Sequence, residues 1–446
     1  MSFLKAVLPA EWPFPVKHFP LFYGWVICFV STLGIIMSIP GQTVGMAVFT
    51  NHFIEVFGLS RTQLSTAYLL GTLASSAFLT RAGRFYDRSG ARITVVAASV
   101  ALGLCLCFIA SIDFVSRWIL NLVPLSAFWV SFPLILLGYF GVRFSGQGVL
   151  TSASRNVLLV WFDRRRGLVS GTRSVFVTLG FSLAPPLLAY LIIIFGWRAA
   201  LLVLAAMVGI GFSLLALLFL RNSPESCGLQ VDGGTAKTHE SSPGSIPDVT
   251  AEEARRSPVF WVYAAALAFY SLFGTALVFH VVSIFAEAGR SPEQAFGYFF
   301  PAALVSVSSN LLASWLSDHW PLKRLLVIKL AAFVLGAWGL LHLDSEWGYW
   351  LLVGAFGITS GLWGCLSNLV FIRFFGRLYL GEISGLNMTL TVIGSAIGPV
   401  MFSIGYDLSG SYHAAIWFNL LCILLLLIAA IIIRQDEPER LQSGPS

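Results

Sequence analysis

A chain of 446 residues that is 57% hydrophobic, 11% charged and net +6 lies far from the soluble norm of about one quarter charged residues. That composition excludes an ordinary soluble domain, and because the basic residues sit in short runs between apolar stretches it also excludes a nucleic-acid surface. Five of the six cysteines (Cys28, Cys105, Cys107, Cys365, Cys422) fall inside apolar runs and Cys227 in a polar one, so neither a disulfide nor a metal site is expected.

Residues 1–21, with Pro9, Pro13, Pro15 and Pro20 among Trp12, Phe14 and Phe19, lack the apolar core of a cleavable signal. They read as an interfacial cytoplasmic tail before a first span that acts as an uncleaved anchor. Crossing a bilayer takes about 20 helical residues, and runs of that order predict helices at 22–48, 63–82, 93–112, 135–158, 168–195 and 199–220. Residues 221–258, rich in Ser, Pro, Gly and charge, are too polar to bury a core and predict a linker. Further helices are predicted at 259–285, 294–317, 323–343, 349–373, 382–406 and 413–433, with a tail from 435. The fold class that follows is an all-α membrane protein of twelve transmembrane helices in two six-helix bundles, 22–220 and 259–434.

An even number of spans places both termini and the linker on one side. Of 27 Lys and Arg, only Arg61, Arg117, Arg198 and Arg290 fall in loops on the other side, so the linker side is expected to be cytoplasmic in a cell (inner) membrane. Five landmarks recur at an offset of 214: Gly167/Gly381, Gly171/Gly385, Gly180/Gly394, Pro185/Pro399 and Gly196/Gly410. Such register predicts two homologous halves in parallel repeat.

Between the second and third spans the sequence reads Gly83-Arg84-Phe85-Tyr86-Asp87-Arg88-Ser89-Gly90-Ala91-Arg92. It resembles the cytoplasmic signature of the major facilitator superfamily, Gly-x-x-x-Asp-Arg-x-Gly-x-Arg, with Ala91 where a base is common. The resemblance implies a conformational latch in which Asp87 meets a helix end while Arg88 and Arg92 meet carboxylates. A decayed copy, Ser314 to Lys323, keeps the acid as Asp318. Tyr23-Gly24-Trp25, Trp161-Phe162, Phe195-Gly196-Trp197-Arg198, Pro224-Glu225, Phe260-Trp261 and Gly398-Pro399 before Tyr406-Asp407 are similar to the monocarboxylate and oxalate/formate branch.

No Asp or Glu falls in the middle of a predicted span, which argues against proton cycling on a membrane-embedded carboxylate. The deep ionisable residues are read as Arg143 in the fourth span and His280 in the seventh. An intramembrane charge needs an anion, a partner or water, so Arg143 is a candidate for a substrate carboxylate, held through its two-donor fork; the alternative is a structural arginine bonded to a neighbouring helix. Tyr139, Arg143 and Gln147, spaced i, i+4, i+8, are expected on one helix face. Arg143-Phe144-Ser145-Gly146-Gln147-Gly148 resembles the superfamily's Arg-Gly-Gln motif at this place.

His280 can bind substrate or carry a coupling proton, or be structural; the monocarboxylate branch commonly has a polar His at this level. Where that branch often places an Arg, the eighth span has uncharged Ser306, Ser308, Ser309 and Asn310, of which Ser306 and Asn310 share a face as hydrogen-bonding candidates. Pro40-Gly41-Gln42-Thr43 with Gly45 is read as a break in the first helix that offers Gln42 to a cavity, or as glycine placed for helix packing. Neither a phosphate loop nor a His-Glu-x-x-His pattern occurs, so no enzyme activity and no cofactor are expected. The reading is a secondary transporter moving a small organic anion such as a monocarboxylate by alternating access, with the lipid bilayer and a candidate coupling proton as partners and no nucleic acid. The alternatives are an exporter of a drug or other hydrophobic solute, and a non-transporting membrane sensor.

Overall fold

The computed structural model describes residues 12–59, 61–123, 126–163, 165–233 and 249–433, and among them every regular element is helical. In chain order these are α1 (Gly24–Met37), α2 (Thr43–Ala47), α3 (Thr50–Phe57), α4 (Arg61–Ser89), α5 (Ala91–Leu122), α6 (Ala127–Val142), α7 (Thr151–Trp161), α8 (Arg166–Ala206) and α9 (Ser213–Phe219). They continue as α10 (Ala251–Arg256), α11 (Pro258–Glu287), α12 (Pro292–Gly297), α13 (Phe299–Leu316), α14 (Leu322–Leu341), α15 (Glu346–Phe375), α16 (Leu380–Ser409) and α17 (His413–Ile432). A π-helical stretch, Arg143–Leu150, joins α6 to α7, and another, Met207–Phe212, joins α8 to α9.

Among the described residues, ten stretches are long and apolar enough to cross a membrane, from Gly24–Gly41 to His413–Ile432. The expected helix at 63–82 is present as α4, but Gln63, Thr66, Ser75, Ser76, Arg81 and Arg84 dilute its apolar character. The expected helices at 168–195 and 199–220 run on as α8, broken at Gly196, whose backbone (φ 76°, ψ 158°) is not helical.

Among the described residues, two compact units are made of Met1–Asp163, Phe176–Ala236 and Ser384–Thr389, and of Arg164–Val175, Lys237–Ile383 and Leu390–Ser446. The chain therefore changes unit within α8 and α16. The expectation that 221–258 stays unfolded fails at both ends. Glu225–Cys227 and Val231–Gly233 form 3-10 turns, Cys227 is buried, and Arg221 is enclosed over the rings of Phe14 and Tyr23. At the other end, Thr250 and Glu253 satisfy each other's backbone N–H groups in a capping box that starts α10. Residues 234–248, the core of the expected linker, lie outside the described set.

Candidate functional site

In the first unit, α1 stops at Met37 and the chain turns through Ile39–Gly41 before Gln42 takes an extended conformation (φ −92°, ψ 161°). Pro40 cannot donate into a continuing helix, so the expected break occurs here. The break frees the carbonyl of Gly41 to face the start of the π-helical stretch. Arg143 meets it: Nη1 donates to Gly41 O at 3.4 Å and to Thr43 Oγ1 at 3.3 Å, and Nε donates to Thr72 Oγ1 at 3.1 Å. The guanidinium stands 5.1 Å from the Tyr68 ring centre, a cation–π arrangement that a desolvated site strengthens. Arg143 is buried, and among the described residues no carboxylate lies within ion-pair distance of it. Its hydrogen-bond partners are neutral oxygens, so they orient the charge without neutralising it, and Nη2 has no hydrogen-bond partner among the described residues.

Tyr139 is buried one turn before Arg143, edge-on to Tyr68 at 5.1 Å and against Phe53 at 6.4 Å. Gln147, four residues on within the π-helical stretch that begins at Arg143, is half-buried. Gln42 Nε2 donates to Ser38 Oγ and Thr151 Oγ1, both at 3.1 Å, which fixes the turn to α7.

In the second unit, His280 Nε2 lies 3.0 Å from Pro399 O and its Nδ1 3.2 Å from the Tyr412 hydroxyl. A carbonyl oxygen only accepts, so Nε2 carries the hydrogen and, in the neutral ring, Nδ1 accepts from Tyr412. Ser403 Oγ approaches Nε2 at 3.4 Å, and the ring stacks on Phe402. Both nitrogens therefore have protein partners. Ser306 Oγ donates to Ser360 Oγ at 3.0 Å and Asn310 Nδ2 to Gly361 O at 2.9 Å; a Cβ on Gly361 would strike Ser306 O at 2.4 Å. Both candidates thus face α15 at a close helix contact, while Asn310 Oδ1 is buried without a partner.

Of the two acidic motif residues, Asp318 shows the helix-end geometry in full. In the second unit its Oδ1 accepts from Gly167 N at 3.1 Å and its Oδ2 from Leu168 N at 3.3 Å, at the start of α8, while Arg373 Nη2 donates to Oδ1 at 3.2 Å. Free N–H groups and the helix dipole make that end a natural carboxylate site. Burial pushes the Asp318 carboxyl up, opposed by those two N–H groups and by Arg373. Gly83 is buried in α4, and Asp87, near its end, is half-buried and engaged by neighbours. Gly90 takes φ 84° in the turn to α5, which only glycine adopts freely. Arg88 is exposed, with no ion pair among the described residues. Arg92 corrects the expectation that the motif arginines meet carboxylates. It is buried and donates to Leu217 O and Trp12 O, because the C-terminal carbonyls of α9 are unsatisfied acceptors.

Two ionisable residues escaped the sequence reading. Asp113 lies within α5, which runs ten residues past its expected end at 112, and binds Arg117 Nη2 at 2.8 Å and also Arg198. Lys329 is fully buried in α14; its Nζ donates to Ala266 O at 2.9 Å and lies 5.7 Å from the ring centres of Tyr270 and Phe333. The signal was a charge six residues into the predicted run 323–343, beyond Lys323 and Arg324 at its start, counted there as part of the basic cytoplasmic rim.

Residues 25–399 match the sequence profile of the Major Facilitator Superfamily. Monocarboxylate transporter 11 of Mus musculus is 27% identical over 311 residues, covering 65% of this chain and 64% of that protein, so under two thirds of the relative's length is spanned. Among solved structures, a double-tryptophan mutant of XylE has a TM-score of 0.70 at 14% identity, covering 94% of this chain and 98% of its own. The E. coli fucose:proton symporter FucP has a TM-score of 0.58 at 15% identity, covering 93% and 100%. At such identities the structural likeness carries the fold, two bundles of six spans, and the profile match carries the family. The chain belongs to the Major Facilitator Superfamily and is a multi-pass membrane protein.

Proposed function

We propose that this transporter moves a small organic anion such as a monocarboxylate by alternating access, in a cell (inner) membrane with its termini and linker cytoplasmic. The observation that carries the proposal is Arg143, a buried guanidinium oriented by Gly41, Thr43 and Thr72 with no carboxylate in reach among the described residues. A charge at membrane depth is costly, and a substrate carboxylate would supply the missing counter-charge through two parallel hydrogen bonds. The mouse relative's name points to the same substrate class. His280, Tyr139, Gln147, Gln42, Ser306 and Asn310 complete the proposed substrate-binding set, with Gly83, Asp87, Arg88, Gly90, Arg92 and Asp318 as the proposed latch.

The test is uptake of labelled lactate and related acids by proteoliposomes, with and without the same acid loaded inside. Uptake accelerated by internal acid, inhibited by small carboxylates rather than by lipophilic cations and lost in Arg143→Ala, is the expected result. Inhibition by lipophilic cations alone would overturn the anion assignment in favour of a hydrophobic-solute exporter.

A further inference from the structure

Within the second unit, where α11 and α14 end and α17 begins, lies a cavity of about 260 Å³. A water molecule takes about 30 Å³ of liquid volume, so several waters fit. The wall carries Glu287, His342, Asp344, Tyr412 and His413, an unusual density of titratable side chains for a chain that is 11% charged. Glu287 accepts from Ser411 Oγ and, at 3.1 Å, from Tyr412 N. His342 Nδ1 lies 3.0 Å from Trp338 O, and its ring sits 4.7 Å from Trp338 and 5.0 Å from Trp347.

Tyr412 belongs to two neighbourhoods. It lines this cavity, and its hydroxyl is 3.2 Å from His280 Nδ1. The groups packed on His280 are the Pro399 carbonyl, Ser403 and Phe402 from α16, Tyr412 from α17 and Phe279 beside it on α11. Tyr412 is therefore the one proton-carrying side chain, among the described residues, that touches both the imidazole and the cavity with its four charged or titratable neighbours.

We propose that the cavity is a proton port and that the Tyr412 hydroxyl passes protons from its water to His280. In the inward step the O–H of Tyr412 gives its proton to Nδ1 while its oxygen takes one from a cavity hydronium. The hydroxyl is regenerated, water is left behind and the imidazole becomes imidazolium. Nε2–H stays on Pro399 O throughout, so the charge arrives beside the proline of α16 without breaking that bond. The reverse step returns the proton to the cavity. The proposal rests on the reading of His280 as part of the transport pathway, and its primary readout needs no substrate.

The full chain, labelled with ¹⁵N-histidine and held in lipid nanodiscs, is followed by NMR from about pH 5 to 8, the range in which histidine ordinarily titrates, with His280 identified by the signal missing in His280→Gln. The expected result is a His280 signal whose proton exchange slows at least tenfold in Tyr412→Phe but not in Tyr406→Phe. Tyr406 stacks on Tyr412 at 4.8 Å and controls for loss of a neighbouring phenol. Unchanged exchange in Tyr412→Phe overturns the port. Should Tyr412→Phe fail to fold, 3-fluorotyrosine in the wild-type chain keeps the ring and changes the acidity of the hydroxyl, and an unaltered exchange rate then overturns it. Absence of lactate flux alongside the expected NMR result would remove the anion reading and leave the port standing.

Discussion

A Cβ placed on Gly41 would stand 2.7 Å from the Cα of Gly146 and 2.4 Å from Val142 O, so the turn that ends α1 lies backbone against backbone on the π-helical stretch. That approach delivers the Gly41 carbonyl to Arg143. Small residues at such crossings are what let membrane helices pack this closely. Gly41→Ala should force the two segments apart at a cost of about 1–3 kcal/mol, the usual range for overpacking. The measurable outcome is a lower Tm of the purified protein together with weakened protection by small carboxylates. A variant with wild-type Tm and wild-type ligand protection would show that the contact does not set the arginine.

Arg143→Lys tests the fork rather than the charge. Lysine offers a point charge on a flexible stem and cannot hold Thr72 and Gly41 while presenting two parallel donors. The expected affinity for a labelled monocarboxylate falls at least tenfold but stays measurable, whereas Arg143→Ala gives none. Equal loss in both variants would mean that the planar geometry, not the charge, is what the ligand needs. Equal retention would return Arg143 to a purely structural role.

The helices were legible because bilayer thickness imposes a length on apolar runs, and most ends fall within a few residues of expectation. Several of the glycines at the 214 offset mark close packing. Gly167 abuts Ser314 and Asp318 within the second unit, and Gly385, two residues into the segment that α16 lends to the first unit, abuts Leu79 and Thr80. The site was less legible. Nothing in the residue types announces the π-helical turn that begins at Arg143. Ser306 and Asn310 do share a face, but sequence spacing does not say whether a face meets a cavity or a helix; here it meets α15. Lys329 was visible and misplaced, since one charge near a span's end satisfies the positive-inside pattern whether it snorkels to the surface or turns inward.

Lys329 invites a test that separates stability from function. A buried ammonium held by one carbonyl and two ring faces is a poor source of stability, because desolvation offsets much of what those contacts return. Lys329→Met has similar length and no charge. It should match or exceed the wild-type Tm while transport falls at least tenfold, since an intramembrane charge that is not kept for stability is kept for function. Wild-type flux in the Met variant would sink that reading.

Asp318 offers the sharpest test of the proposed latch. Its two oxygens hold the Gly167 and Leu168 N–H groups, and a Cβ on Gly167 would reach within 2.7 Å of Oδ1, so the glycine and the acid are one device. Asp318→Asn keeps an acceptor for one N–H but gives up the charge that draws Arg373 and complements the dipole of α8. A latch acts on the balance of conformations rather than on substrate contacts. Turnover in proteoliposomes should therefore fall several-fold while KM for the carboxylate stays within about twofold. The pH dependence has a definite sign. Burial holds the folded-state carboxyl above its ordinary range, so the folded protein gains a proton more readily than the unfolded chain, and the contribution to stability rises as pH falls through that window. As pH falls towards the ordinary carboxylate range, the Tm of wild type should rise relative to Asp318→Asn, which has no proton to gain. Turnover equal to wild type, with an offset in Tm that does not move with pH, would remove both the mechanical role and the electrostatic account.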